Sequence, residues 1–366
     1  MARPLGLANS AKHRWDDEFI GDSQVHLNRR VSRRILFGIL PFLAIFVAAC
    51  SDGMTTTDPQ SDFTETVHGV YVIVTILAAI VFVGVLALVL IFAIAFRERP
   101  GREARQFHGS TRLEIVWTII PVAIVAIIAV PTFFAIADTT DPPPDNALMI
   151  EVTGHQWWFE FNYAGEDLIT ANEIHIPTGQ PVAFQLESDD VIHSFWVPQL
   201  VGKVDLVPGH TNDVWFTAND DAARSEAYLG QCAEFCGLSH ANMRFRVFVD
   251  TPDDYRAWIA AQKADRTAPS TDALIGGEEL FLAGACIGCH TVNGTAAAGR
   301  IGPDLSHFGG RETLAAGMME NSRENLIAWI SNPESEKPGV VLMPAFENQM
   351  TPEQIESVAD YLLSLQ

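Results

Sequence analysis

The chain reads as a multidomain membrane protein with a two-helix transmembrane hairpin, an all-β sandwich or barrel, and a helical C-terminal domain. Three observations predict this. Hydrophobic residues make up 48% of the 366, and charge-poor apolar runs are confined to the stretch ending at Ala137. Between Leu148 and Val249 the pattern changes to short runs bounded by Gly, Pro and Asp, such as Met149–Val152, Trp157–Tyr163, Val182–Glu187, Asp213–Phe216 and Arg244–Val249. Runs of that length and spacing indicate strands of a sandwich or barrel. From Asp272 the signals turn helical, over Leu274–Ala285, Asn325–Ser331 and Pro352–Leu365.

Residues 1–28 are polar and predict no fold. Arg29, Arg30, Arg33 and Arg34 precede the apolar run Ile35–Ala49, which is too short to span a bilayer and ends Val47-Ala48-Ala49-Cys50. A basic region, a short apolar region and small residues at the break describe a signal peptide, so residues 1–49 are read as an N-terminal extension and signal peptide. Cys50 directly after the small residues resembles a bacterial lipobox, and a lipid anchor at Cys50 is expected. Residues 50–66, rich in Ser, Thr, Asp and Pro, form a tether.

Residues 67–137 make the membrane hairpin. Gly69–Phe96 has no charged residue, and Leu113–Ala137 has only Glu114, with Pro121 and Pro131 inside it. Proline is tolerated in spans because neighbouring helices satisfy the freed carbonyls. The loop Arg97–Arg112 holds five Arg against two Glu, whereas Asp138–Gln366 holds 34 acidic residues against 11 basic ones. The basic loop is expected inside and the acidic remainder outside the cytoplasm, which gives both hairpin ends and Cys50 the same external side. A net charge of −22 disfavours nucleic acid as a partner and favours a basic protein.

After the stiff spacer Asp138–Asn146, the β domain is taken as residues 146–263, closing on a short amphipathic helix at Pro252–Lys263. Ala264–Thr271 is a polar linker, and residues 272–366 form the last domain.

The five cysteines are Cys50 and two close pairs, C-x-x-x-C and C-x-x-C-H, a pattern better suited to metal, cofactor or lipid attachment than to a disulfide framework. Cys232, Cys236, His240 and Met243 fall within twelve residues. Thiolate and thioether are soft donors that select copper over hard cations. A two-metal site bridged by both sulfurs needs a second His, and His193 in Asp190-Val191-Ile192-His193-Ser194-Phe195-Trp196 is the candidate. The residues alone leave two rivals open: a zinc site from the same Cys and His set, and a mononuclear blue-copper site.

The run C-x-E-x-C-G-x-x-H-x-x-M, with His193-Ser194-Phe195-Trp196-Val197-Pro198 upstream, is similar to cytochrome c oxidase subunit II. So are Gly154-His155-Gln156-Trp157-Trp158, Leu113-Glu114-x-x-Trp117-Thr118 and Lys203-x-Asp205-x-x-Pro208-Gly209, in order over about residues 63 to 262. The resemblance implies that the β domain is a cupredoxin-like sandwich holding the binuclear CuA centre. In it Cys232 and Cys236 bridge two coppers, His193 and His240 bind one each, and Met243 and the Glu234 carbonyl complete the set. It also implies that the Glu234 side chain helps hold Mg2+ at the contact with subunit I, and that electrons enter at Trp157. His210 stands where many relatives have Arg.

Cys286-Ile287-Gly288-Cys289-His290 is the c-type haem attachment signal, with His290 as the proximal iron ligand. Its order with Gly302-Pro303-Asp304-Leu305, Met343-Pro344 and a C-terminal helix looks like an all-α class I cytochrome c domain. That makes Met343 the distal ligand; Met318, Met319, Met350 and His307 are rivals without a following Pro.

Together these imply an electron-transfer subunit of cytochrome c oxidase in the bacterial cell membrane. Electrons pass from haem c to CuA and on to the haem of subunit I, where oxygen becomes water. Expected partners are subunits I and III, and a cytochrome c or cytochrome bc-type complex as donor. The alternatives are a stand-alone membrane-tethered copper and haem carrier, a quinol oxidase subunit (which typically lacks Cys232, Cys236 and Met243) and a nitrous oxide reductase, whose larger catalytic part is missing here.

Overall fold

The computed structural model describes residues 53–101 and 108–366. The expected signal peptide and Cys50 lie outside the described residues. Two long apolar helices come first, α1 (Asp62–Ala95) and α2 (Thr111–Thr139), each long and apolar enough to cross a membrane. At 1.5 Å per residue they reach about 50 Å and about 43 Å, beyond the roughly 30 Å of a hydrocarbon core. Pro121 and Pro131 sit inside α2 without ending it.

The first helix starts at Asp62, inside the stretch read from sequence as tether. Ser61 caps it: its Oγ accepts from the Thr64 N–H at 3.1 Å and donates to the Leu200 carbonyl at 2.6 Å. Asp62 accepts from the Thr217 N–H at 2.8 Å, and Thr64 donates to the Gln199 carbonyl at 2.9 Å. These bonds join the N-terminal end of α1 to the β domain, which fixes where that domain stands on the hairpin.

The β domain is a sandwich of two five-stranded sheets. One has the order β3-β2-β1-β5-β8, from β1 (Leu148–His155), β2 (Trp158–Tyr163), β3 (Leu168–Ala171), β5 (Pro181–Ser188) and β8 (Asn212–Thr217). The other has the order β4-β10-β9-β6-β7, from β4 (Glu173–Pro177), β6 (His193–Val197), β7 (Val201–Leu206), β9 (Tyr228–Cys232) and β10 (Arg244–Asp250). Most pairs are antiparallel; β1 with β5 and β4 with β10 are parallel. Alternate residues point inward, so Phe159, Phe161 and Tyr163 of β2 are buried while the residues between them are only partly so. Phe159, Phe195 and Phe245 meet at the centre, with ring centroids 4.8 to 6.4 Å apart. The Phe245 ring lies so close to Gly230 that an added Cβ there would come 2.3 Å from it.

Helix α3 (Pro252–Gln262) closes the sandwich. Two ion pairs hold the start of the linker behind it. Lys263 pairs with Glu166 at 2.9 Å, and Arg266 with Glu278 at 2.7 Å. The last domain packs α4 (Asp272–Ala283), α5 (Arg323–Ser331), the single turn α6 (Pro333–Glu336) and α7 (Pro352–Leu363) around Phe281, Leu326, Ile330 and Tyr361. Gly277 lets α4 and α7 approach closely: a Cβ there would stand 2.2 Å from the Ser357 carbonyl oxygen. Two-residue strands at Thr313–Leu314 and Met319–Glu320 are its only sheet among the described residues.

Candidate metal and haem sites

The last residue of β9, the first residue of β6 and the loop Cys232–Met243 converge on one point. The Cys232 and Cys236 sulfurs are 3.6 Å apart, and both thiols are free. The Cys232 sulfur lies 3.9 Å from His193 Nδ1 and 3.2 Å from the Glu234 carbonyl oxygen. The Cys236 sulfur lies 3.6 Å from His240 Nδ1 and 3.9 Å from the Met243 sulfur. His193 and Met243 are fully buried, and the two cysteines nearly so. All six positions expected from the sequence are therefore in one cluster. The Glu234 side chain and Phe235 face outward at the loop tip, Phe235 being 76% exposed.

The two thiols interact as a pair. Cys236 donates toward Cys232, which draws the Cys232 thiol down to about 4, with His193 and backbone donors helping. The same contact, with burial, pushes Cys236 up. Burial pushes His193 down, but the Cys232 sulfur and the Asp190 carboxylate outweigh it and leave its pKa raised. Two adjacent unbridged thiols, two imidazoles and a thioether, shielded from water, form a donor set that fits copper.

Asp190 organises this cluster and was not legible as a functional residue from its sequence position. Its Oδ1 accepts from His193 Nε2 at 2.7 Å, which leaves Nδ1 toward the sulfur. Its other oxygen accepts from the Gln156 N–H at 2.6 Å. Gly154 makes room: a Cβ there would stand 2.8 Å from His193 Cδ2.

In the C-terminal domain, Cys286, Cys289, His290 and Met343 line one largely apolar cavity, with Arg311 and Trp329 in its wall. His290 Nδ1 donates to the Pro303 carbonyl at 2.8 Å, so Nε2 is the free ring nitrogen. Burial holds His290 below its ordinary value, hence neutral and fit to bind iron. A Cβ at Gly302 would stand 2.7 Å from the imidazole. The rivals for Met343 are elsewhere: Met318, Met319, Met350 and His307 do not line this cavity, and His307 bonds the Gln366 carbonyl at 3.0 Å.

Trp157 joins the two sites. Its indole N–H donates to the Cys236 carbonyl at 3.0 Å, and the same residue lines the His290–Met343 cavity. It is 8% exposed, so the surface expected to admit electrons is covered by the C-terminal domain. Lys337, buried at 2% exposure, donates to the Trp157 carbonyl from the other side of the seam. Burial pushes its ammonium down to about 7.

Comparison with known proteins gives the same order of domains. Residues 49–135 match the transmembrane domain of cytochrome C oxidase subunit II, residues 164–249 its periplasmic domain, and residues 275–366 cytochrome c. Cytochrome c oxidase subunit 2 of Alkalihalophilus pseudofirmus is 40% identical over 336 residues, covering 89% of this chain and 95% of that one. Cytochrome c oxidase subunit 2 of Bacillus sp. strain PS3 is 33% identical over 93% of this chain and 99% of its own length. Quinol oxidase subunit 2 of Bacillus anthracis is 30% identical over 64% of this chain and 81% of its own length.

Proposed function

The chain belongs to the cytochrome c oxidase subunit II family and carries a C-terminal cytochrome c domain, and from that premise we propose that it accepts electrons at a covalent haem c and passes them through CuA to the haem of subunit I, for reduction of oxygen to water. Cys232 and Cys236 would bridge two coppers, with His193, His240, Met243 and the Glu234 carbonyl completing the set. Cys286 and Cys289 would attach the haem, with His290 and Met343 on its iron. When bound, these groups supply reversible one-electron transfer. No residue of this chain is assigned to oxygen chemistry.

What the protein itself does is hold, orient and exclude water. The Cys232–Met243 loop brings its donors to one point without strong exposure, so little solvent has to reorganise when charge changes there. Asp190 fixes which nitrogen of His193 faces the sulfur, and Pro303 does the same for His290. The acidic outer domains suit a basic donor such as a cytochrome c, or a neighbouring cytochrome bc-type complex. The exposed Glu234 and Phe235 at the loop tip suit cover by subunit I and a Mg2+ held there. Subunit III, an extracytoplasmic placement of residues 146–263 and 272–366, and a lipid anchor at Cys50 complete the proposal.

The observation that carries this reading is Trp157, which bonds the Cys236 carbonyl and walls the haem cavity at once. Metal and haem analysis of the purified oxidase tests it. Two coppers and one c-type haem per chain are expected in this subunit. One zinc and no copper absorption would refute it.

A further inference from the structure

A buried lysine lies in the seam between the two cofactor sites. Lys337 is 2% exposed, although lysine is almost never buried without a group to take its charge. Its Nζ donates to the Trp157 carbonyl at 2.7 Å and to the Ala315 carbonyl at 3.0 Å. The first carbonyl belongs to the β domain and the second to the haem domain. Ala315 and Ala316 both have positive φ, 53° and 61°, so this turn is strained and must be held. Lys337 holds it on one side, and on the other Arg244 of β10 donates its N–H to the Ala316 carbonyl at 3.0 Å.

The residues after Lys337 continue the contact. Ser239 of the copper loop donates to the Pro338 carbonyl at 2.5 Å. A Cβ at Gly339 would stand 2.6 Å from Trp157 Cη2, and one at Gly237 of the copper loop 3.1 Å from Trp157 Cζ2. Both domains therefore close on the same indole. The linker alone cannot define this arrangement, because eight residues span up to roughly 26–29 Å and permit many placements. Its Lys263–Glu166 pair is 46% and 37% exposed, and exposed pairs contribute little.

We infer that Lys337 is a positioning residue that latches the haem domain onto the copper domain through the Trp157 and Ala315 carbonyls, and so sets the placement of Trp157 between the two cofactor sites. The role of that placement in electron transfer rests on the relay reading above. The latch itself rests on the geometry of the seam.

The test uses the full chain loaded with both cofactors and compares Lys337→Met with the parent. Three amides bond across the seam, Arg244 to the Ala316 carbonyl, and Glu312 and Thr313 to the Glu173 carboxylate at 3.1 and 2.8 Å. Loss of bonds to a charged donor should speed their hydrogen exchange about tenfold to a hundredfold. Amides of the sandwich core, such as Phe161 in its pairing with Thr170, should not change. Haem-to-copper transfer after a flash should slow severalfold, with both spectra intact. Lys337→Arg, which keeps charged donors, should recover part of both effects, and Lys263→Met should produce neither. If Lys337→Met fails to accumulate, Lys337→Gln reads the same seam in the same direction. Unchanged exchange at Arg244 and Thr313 would overturn the latch, and faster exchange with unchanged transfer would overturn its role in placing Trp157 for transfer. Failure of the parent chain to load copper or haem would sink the relay reading instead, and the exchange comparison would still decide on Lys337.

Discussion

Asp190 offers a sharp test of the copper site, because it binds no metal in this account and only orients a ligand. Its carboxylate accepts from His193 Nε2 at 2.7 Å and from the Gln156 N–H at 2.6 Å. Asp190→Asn can keep one acceptor oxygen for His193 but turns an N–H toward the Gln156 amide and removes the charge. Asp190→Ala removes both of these bonds, and with them the one that Oδ1 accepts from the Val191 N–H at 2.6 Å. A bond to a charged group contributes about 1.5–3 kcal/mol, and the lower figure applies because the Asp190 side chain is 31% exposed. One such bond is about tenfold in copper affinity and two are about a hundredfold, the range expected for partners that orient metal ligands. The assay is competition of the chain with a copper chelator, followed at the copper absorption band. The expected order of affinity is parent, then Asp190→Asn, then Asp190→Ala, with the haem spectrum unchanged throughout. Equal affinities in all three would refute the claim that this carboxylate sets the His193 ring.

Cys236→Ser should abolish the mixed-valence copper spectrum, since in the proposed site that sulfur would serve both metals, whereas Met243→Leu should retain two coppers with a shifted potential; electron paramagnetic resonance distinguishes them. Met343→Ala should lose the sulfur-to-iron charge-transfer band, while Met319→Ala and Met350→Ala keep it, because neither lines the haem cavity. Mass spectrometry of the mature N-terminus should find an acylated Cys50, and recovery of peptides from residues 1–40 would refute the anchor.

The helices and the close cluster of sulfur and imidazole donors were legible because they are written locally. A charge-free run such as Gly69–Phe96 has one structural outcome in lipid, and Cys232, Cys236, His240 and Met243 lie on one loop. The start of α1 at Asp62 was not, because it depends on bonds from Ser61 and Thr64 to residues more than a hundred positions away. The strands β3, β4, β6, β7 and β9 escaped a reading by apolar runs, being four to six residues long and interrupted by polar ones. Asp190 was visible beside His193, but an acidic residue in a loop carries no signal of its own. Lys337 was invisible in principle: its partners, Trp157 and Ala315, are backbone carbonyls, which no side-chain pattern records. The linker gave composition and length but not that the haem domain is docked.

The relay is tested most directly by injecting one electron with a flash into the full oxidase and following the haem and copper bands together. The haem should be reduced first, and its reoxidation should match copper reduction in rate. Trp157→Ala should slow that shared phase while both spectra stay intact. Copper reduced by the natural donor while the haem remains oxidised, at a rate unaffected by Trp157→Ala, would contradict it.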